Sequence, residues 1–292
     1  MEPQAPIVLA VDIGGTNIRA ALVQGQAQGP ILTVPSNRQA AGSSVGSMLE
    51  ILREAAGSQW EAIQAVGIVS TGPLDSSNGV ISNPFTLPQW SGHDWINQLR
   101  ARLDVPVIIE NDAVGAAIGE FEAGAGLGSD VMCMVTLGTG VGVAVVSRAQ
   151  GPYRGTYGFH PEAGHLPISN HGDVCYCGVT GCWEQLCSGD GIRQYWSDPD
   201  GHVDWEGYGS ITARAIRILS RTYAPDRFVF GGGIAANFLD FMPSMKVALS
   251  ERDPMGPPAE MELCQAQLAE PGLRGAAILA MHATSRRENH GT

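Results

Sequence analysis

The sequence predicts a mixed α/β fold built from two related halves, and three observations carry that prediction. Apolar runs of strand length alternate with helix-length stretches along the chain. A strand, a glycine turn and a second strand follow one another twice, once around Gly14-Gly15 and once around Gly138-Thr139-Gly140. With 292 residues, of which 44% are hydrophobic, the chain is long and apolar enough to form two cores.

Each element follows from its local pattern. Ile7 to Asp12 is a short apolar run ending in Gly-Gly, and Ile18 to Val23 resumes it, which predicts a hairpin. A helix is expected over Ser43 to Ala56, a strand over Ala65 to Ser70, a helix over His93 to Leu103 and a strand over Val107 to Ile109. A helix rich in Ala and Gly follows Asp112 to about Ala123, and Val131 to Thr136 and Val141 to Val146 flank the second glycine turn. Val203 to Thr222 reads as a helix and Arg227 to Phe230 as a strand, which Gly231 to Gly233 breaks before another helical stretch. Leu273 to Ala283 closes the chain as a helix, and the polar tail from Ser285 to Thr292 is expected to fray.

The formal net charge of -12 would repel nucleic acid and anionic membrane surfaces, so a small-molecule ligand is expected. The first twenty residues carry no basic segment before their apolar stretch, and glycines cut that stretch short. Neither a signal peptide nor a membrane span fits, which predicts a cytoplasmic protein. In that compartment six cysteines are rarely disulfides. Three of them crowd into Cys175 to Cys182, a density that suggests metal; Cys133, Cys187 and Cys264 are expected to be buried as small apolar residues.

The first glycine turn places Asp12 at a strand end, then Gly14, Gly15, Thr16, Asn17 and Arg19. Glycines let backbone N–H groups approach a phosphate, Thr16 adds a hydroxyl, and Asp12 is suited to hold a hydrated Mg2+ ion. Taken alone it also reads as an ordinary tight hairpin; the second turn, with Gly138, Thr139 and Gly140, makes a paired grip on one nucleotide the stronger reading. No Gly-Lys-Ser/Thr occurs and Lys246 is the one lysine, so the P-loop class is excluded. Charge building on a transferring phosphoryl group would then fall to magnesium, backbone N–H groups and Arg19. Because Gly138-Thr139-Gly140 lies between two strands, a dinucleotide fingerprint fits poorly.

Glu110-Asn111-Asp112 follows an apolar strand and precedes a helix, a position that suits a helix cap and equally a general base, Asp112, with Asn111 fixing a neighbouring hydroxyl. The most specific signal is His165 followed by Cys175, Cys177 and Cys182. One imidazole and three thiolates form a closed tetrahedral zinc set, structural rather than catalytic. His165 bound by one ring nitrogen keeps the other for a ligand hydroxyl, and Glu162 and Glu184 flank the cluster as acceptors suited to a polyol.

DIGGTNIR, ENDA, LGTGVG, EAGH and CYCGVTGCWE, in this order, resemble the successive signatures of the ROK family, and FGGGIA and RGAAILA extend the likeness toward the end. The resemblance implies an actin-like (ribonuclease H-like) ATPase/hexokinase fold of two α/β lobes with a cleft between them: 1–115 rejoined by 273–292, and 116–272 with the zinc knuckle. It implies Asp112 as catalytic base. It implies sugar binding by Asn111, Asp112, Glu162, His165 and Glu184, with Gly72 and Asn83 beside them. Gly14, Gly15, Thr16, Thr139 and Gly140 would line the ATP phosphates and Gly231, Gly232 and Gly233 the adenosine. His165, Cys175, Cys177 and Cys182 would bind zinc. The stretch from Gly189 to Arg227 is shorter than the family usually carries.

The expected activity is transfer of phosphate from ATP to the 6-hydroxyl of a hexose, glucose first, by a homodimer with magnesium and structural zinc. The segment TGPLDSSNGVISNP looks glucokinase-like, whereas CYCG and CSGDGIRQYW are similar to fructokinases and N-acetylglucosamine kinases; fructokinase and N-acetylglucosamine or N-acetylmannosamine kinase therefore stand as alternative activities. A non-catalytic sugar sensor with the same pocket stands as the alternative from another class. A family repressor would place a helix-turn-helix domain before Asp12, where eleven residues stand, and an unrelated zinc-knuckle module leaves the paired glycine turns unexplained.

Overall fold

Residues 5–37, 44–84, 86–250 and 261–290 are described by a computed structural model; Ser43 and the last two residues of the expected tail lie outside them. The chain divides into two compact units, 1–119 with 154–160 and 268–292, and 120–153 with 161–267.

In the first unit the hairpin of β1 (Ile7–Ile13) and β2 (Asn17–Gln24) is extended by the short β3 (Ala27–Gln28) and β4 (Leu32–Pro35). The helix α1 (Ser44–Ala56) presents Val45, Met48, Ile51 and Leu52, a helix-period stripe, to the core. Next, β5 (Ala65–Ser70) is buried at every position and pairs parallel with β1. A small β6–β7 ribbon (Leu74–Asp75, Val80–Ile81) and the short helix α2 (Trp95–Arg100) lead to β8 (Val107–Asn111), which runs on directly into α3 (Asp112–Ala123). The sheet order is β3-β2-β1-β5-β8, with β4 on β2.

The second unit repeats that plan. Its hairpin is β9 (Val131–Leu137) and β10 (Val141–Ser147), followed by β11 (Gly151–Pro152). Helical turns α4 (Trp183–Cys187) and α5 (Gly189–Gly191) precede the long α6 (Trp205–Tyr223), β12 (Arg227–Gly231), α7 (Phe238–Ser250) and β13 (Glu262–Gln265). The sheet order is β11-β10-β9-β12-β13. In both units an antiparallel hairpin is followed by two parallel strands, β1-β5-β8 in one and β9-β12-β13 in the other. The duplication expected from two glycine turns is thus carried by the whole sheet.

The last helix, α8 (Pro271–His290), returns to the first unit and packs Leu273, Ala276, Ala277 and Ala280 on Val8, Ala10 and Val69. It continues through Ser285 to His290, within the polar stretch expected to fray, where Arg and Glu are good helix formers. Cys133 and Cys187 are fully buried, while Cys264 is half-exposed because β13 is an edge strand. Among the described residues no helix is long and apolar enough to cross a membrane.

Candidate functional site

In the first unit the sheet register sets a group of acids at the strand ends. Asp12 lies opposite Arg19 across the hairpin, and Ser70 opposite Asn111 across β5 and β8. Asn111 is buried and its Oδ1 accepts from the N–H groups of Ala113 (2.9 Å) and Val114 (3.2 Å), so Asn111 caps α3. The next side chain, Asp112, shares the Ala113 N–H, accepting it through Oδ1 at 2.8 Å. Its Oδ2 accepts from the Thr71 hydroxyl at 3.0 Å, which fixes the carboxylate's orientation. Burial raises the Asp112 pKa above the ordinary carboxylate range, against the hydrogen bonds from Thr71 and Ala113. Burial and then the Asp112 charge push Asp12 up to about 7, Arg19 opposing and Glu270 adding to the rise. Arg19 sits 3.9 Å from Asp12 and 3.3 Å from Glu270.

The first glycine turn is closed by Gly14 N–H donating to Asn17 O at 3.0 Å, and Ser36 ties it down through Gly14 O and Thr16 O. Gly72 and Asn83 also meet: Asn83 Nδ2 donates to Gly72 O at 2.7 Å while its Oδ1 accepts from Thr86 N. Asn83 therefore locks the loop that carries Gly72.

In the second unit, the turn of Gly138, Thr139 and Gly140 lies against the Gly231 to Gly233 break. Gly232 has a φ of 85°, and a Cβ there would meet Leu137 O at 2.3 Å. Glu184, in the first turn of α4, accepts from Val141 N–H at 3.0 Å through Oε2. The same oxygen would stand 2.6 Å from a Cβ at Gly140, so the glycine leaves room for the carboxylate.

The knuckle is built by a tight bridge between Val174 and Thr180, with Gly178 at φ 85° and Gly181 at φ 63°, conformations that suit glycine. Pro167 pairs with Cys182, bringing the turn that bears Glu162 and His165 beside the cysteines. The ligand atoms of His165, Cys175, Cys177 and Cys182 all lie within 4.8 Å of one another. His165 Nδ1 is 3.7 Å from the Sγ of both Cys175 and Cys182. A sulfur and a nitrogen on one tetrahedral zinc ion are about 3.5 Å apart, given bond lengths of about 2.3 and 2.0 Å. The four residues fit such an ion in number, chemistry and spacing.

The sequence pattern of the ROK family matches residues 8–283. The chain belongs to the ROK family. Among its ROK relatives, the glucokinase of Streptomyces coelicolor is 33% identical over 196 residues, 65% of this chain and 58% of that protein. The N-acetylmannosamine kinase of Escherichia coli K12 (DH10B) is 36% identical over 190 residues, 63% of this chain and 62% of that protein. The chain thus spans about six tenths of the length of these curated relatives. Among solved structures, the ROK hexokinase of Thermus thermophilus superposes with a TM-score of 0.80 at 27% identity, covering 96% of this chain and 99% of that one. A ROK glucokinase from Streptomyces griseus, solved with glucose and AMPPNP, gives 0.76 at 27% identity over 94% and 99%. A ROK transcriptional regulator superposes at 0.81 with 17% identity over 96% and 78%, a likeness of fold alone. The fold is the actin-like two-domain fold of the ROK hexokinases.

Three side chains of this ROK chain carry site geometry without a sequence signal that singles them out. Thr71 orients Asp112, and nothing in TGPLD marks it. Arg154 pairs with Glu110 from a loop distant in sequence. Tyr176, inside the cysteine motif, sends its hydroxyl to Glu184 Oε1 at 2.7 Å and lies 3.1 Å from His165 Nε2. Its place between Cys175 and Cys177 was the available clue.

Proposed function

We propose that the chain is an ATP-dependent sugar kinase that phosphorylates the 6-hydroxyl of a hexose, with glucose the first choice of substrate. The observation that carries it is Asp112: a carboxylate just past the end of β8, oriented by Thr71 on one oxygen and by the Ala113 N–H on the other, and raised in pKa by burial. A base with a pKa moved toward neutrality takes the hydroxyl proton most effectively as the oxygen attacks the γ-phosphoryl group.

Around that step each group has a part. Asn111 and Asp112 bind the sugar, as do Glu162 and Glu184 as acceptors and His165 as a donor to its hydroxyls, and Gly72 and Asn83 belong to the same set of sugar ligands. The turns of Gly14, Gly15, Thr16 and Asn17, and of Gly138, Thr139 and Gly140, offer N–H and hydroxyl donors to the ATP phosphates, with Gly231 to Gly233 toward the adenosine. Asp12 suits a hydrated magnesium ion, because a cation beside two desolvated carboxylates favours their charged form. Magnesium, when bound, neutralises phosphate charge. His165, Cys175, Cys177 and Cys182 hold zinc, which fixes the loop bearing Glu162 and places His165 Nε2 outward.

The similarity to N-acetylmannosamine kinases, as strong as that to glucokinases, favours a second substrate reading, and fructose and N-acetylglucosamine belong in the same comparison. The test is ADP release from ATP and magnesium with glucose, mannose, fructose, N-acetylglucosamine and N-acetylmannosamine, beside Asp112→Ala. The expected result is turnover with one sugar, falling at least 100-fold in the variant. Sugar binding without turnover of any of the five would instead assign the chain to a sensing role.

A further inference from the structure

Tyr176 is 82% exposed, so almost nothing packs against its ring apart from an edge-on contact with His165, the centroids being 5.1 Å apart. What holds the side chain in place is its hydroxyl. It donates to Glu184 Oε1 at 2.7 Å and lies 3.1 Å from His165 Nε2. With Nδ1 turned toward the thiols, the His165 proton belongs on Nε2, so the phenol oxygen accepts from the imidazole as it donates to the carboxylate. One oxygen that accepts from the histidine and donates to the glutamate is the pattern a sugar hydroxyl would make at the same two groups.

We propose that the Tyr176 hydroxyl is a tethered stand-in for a sugar hydroxyl, occupying the position between His165 and Glu184 until the sugar displaces it, and that Tyr176 thereby sets sugar affinity and selectivity. The proposal rests on the reading of His165 and Glu184 as sugar ligands. Tyr176 stands between Cys175 and Cys177, two of the four proposed zinc ligands, so that a bound ion would fix its backbone on both sides and keep the hydroxyl at high local concentration. The exposed ring has little buried contact to lose on swinging into solvent, so displacement costs the two hydrogen bonds and the edge-on contact with His165. A sugar lacking a hydroxyl that can serve both groups cannot recover them, and that imposes selectivity.

The test compares the zinc-loaded full chain with Tyr176→Phe by calorimetry, without ATP, using glucose and N-acetylmannosamine as probes. Metal content is measured on each sample. Phe removes the competing hydroxyl and keeps the ring, so the Kd for the sugar that binds should fall about three- to tenfold, the worth of one or two exposed hydrogen bonds. The same factor should appear in the sugar KM and not in the KM for ATP. Unchanged or weaker sugar binding at full metal content overturns the proposal, since it would make Tyr176 a bystander or a sugar ligand itself. Glu184→Gln separates this failure from that of the underlying reading. If Glu184→Gln binds sugar as the wild type does, Glu184 is not a sugar ligand and both readings fall. If it loses binding while Tyr176→Phe gains none, only the Tyr176 proposal fails.

Discussion

Asp12 and Asp112 show how one residue's surroundings decide its charge. Both carboxyls lose water on folding, and Asp12 also faces the Asp112 charge; Arg19, 3.9 Å from Asp12 and closer to Glu270, offsets only part of the loss for Asp12. The sign of the resulting pH dependence is the reverse of the usual acid case. Unfolded, Asp12 titrates near its ordinary value of 3.8; folded, near 7. Between those values the native state holds the extra proton, so this group's contribution is full in acid and is lost as pH rises toward and through neutrality. Asp12→Asn, uncharged at any pH, should therefore gain stability over the wild type on going from pH 5 to pH 8, by up to about 2.6 kcal/mol, because about two units of the shift lie above pH 5, at 1.36 kcal/mol per unit. Urea melts of both proteins at the two pH values check it, in the absence of magnesium. An equal response to pH in the two proteins would mean that Asp12 is ionised without penalty.

At the scale of elements, α8 is the clearest case of packing that overrides local preference. A Cβ on Gly275 would stand 1.8 Å from Gly115 O on α3, and one on Gly119 would stand 2.4 Å from Pro271 O, so the two helices touch backbone to backbone. Helix propensity alone says that Gly275→Ala gains about 1 kcal/mol. Overpacking against a carbonyl that cannot rotate away costs about 3 kcal/mol or more, and the second effect wins. Gly275→Ala should lower stability by roughly 2 kcal/mol net in a urea melt, where a neutral or stabilising result would refute the close approach. The pattern of elements was legible where periodicity was strong: β5 and the run from Asp112 to Ala123 lie where the apolar spacing puts them. It failed at β3, β4, β11 and β13, which are too short or too exposed to leave an alternating signature and exist because a neighbouring strand offers an edge. That His165, Cys175, Cys177 and Cys182 come together was legible because metal chemistry restricts which residue types can serve. Thr71 and Arg154 were not, because a hydroxyl or a guanidinium is unremarkable until the fold sets it beside a carboxylate.

For the molecule as a whole, each unit of the repeated sheet plan has its own large apolar cluster, besides the one under α8. One gathers Leu9, Val11, Ile68, Trp90 and Trp95 with α1; the other gathers Val135, Val143, Trp183, Tyr208, Phe230 and Phe241. The proposed zinc ligands belong wholly to the second unit, and the knuckle joins that core through Trp183 and Leu186 on α4. Metal binding energy is therefore folding energy for one unit. Removing zinc with a strong chelator should increase amide hydrogen exchange across 161–192 and the start of α6, while peptides from 5–37, 44–84 and 271–285 keep their protection. Cys177→Ser, which deletes one exposed ligand, should reproduce that pattern without chelator. Exchange unchanged by the chelator would show that the four residues hold their geometry without a metal. Loss of protection spreading through β1, β5 and α8 would show that the two cores fold as one cooperative unit, so that the duplicated sheet does not divide the molecule's stability.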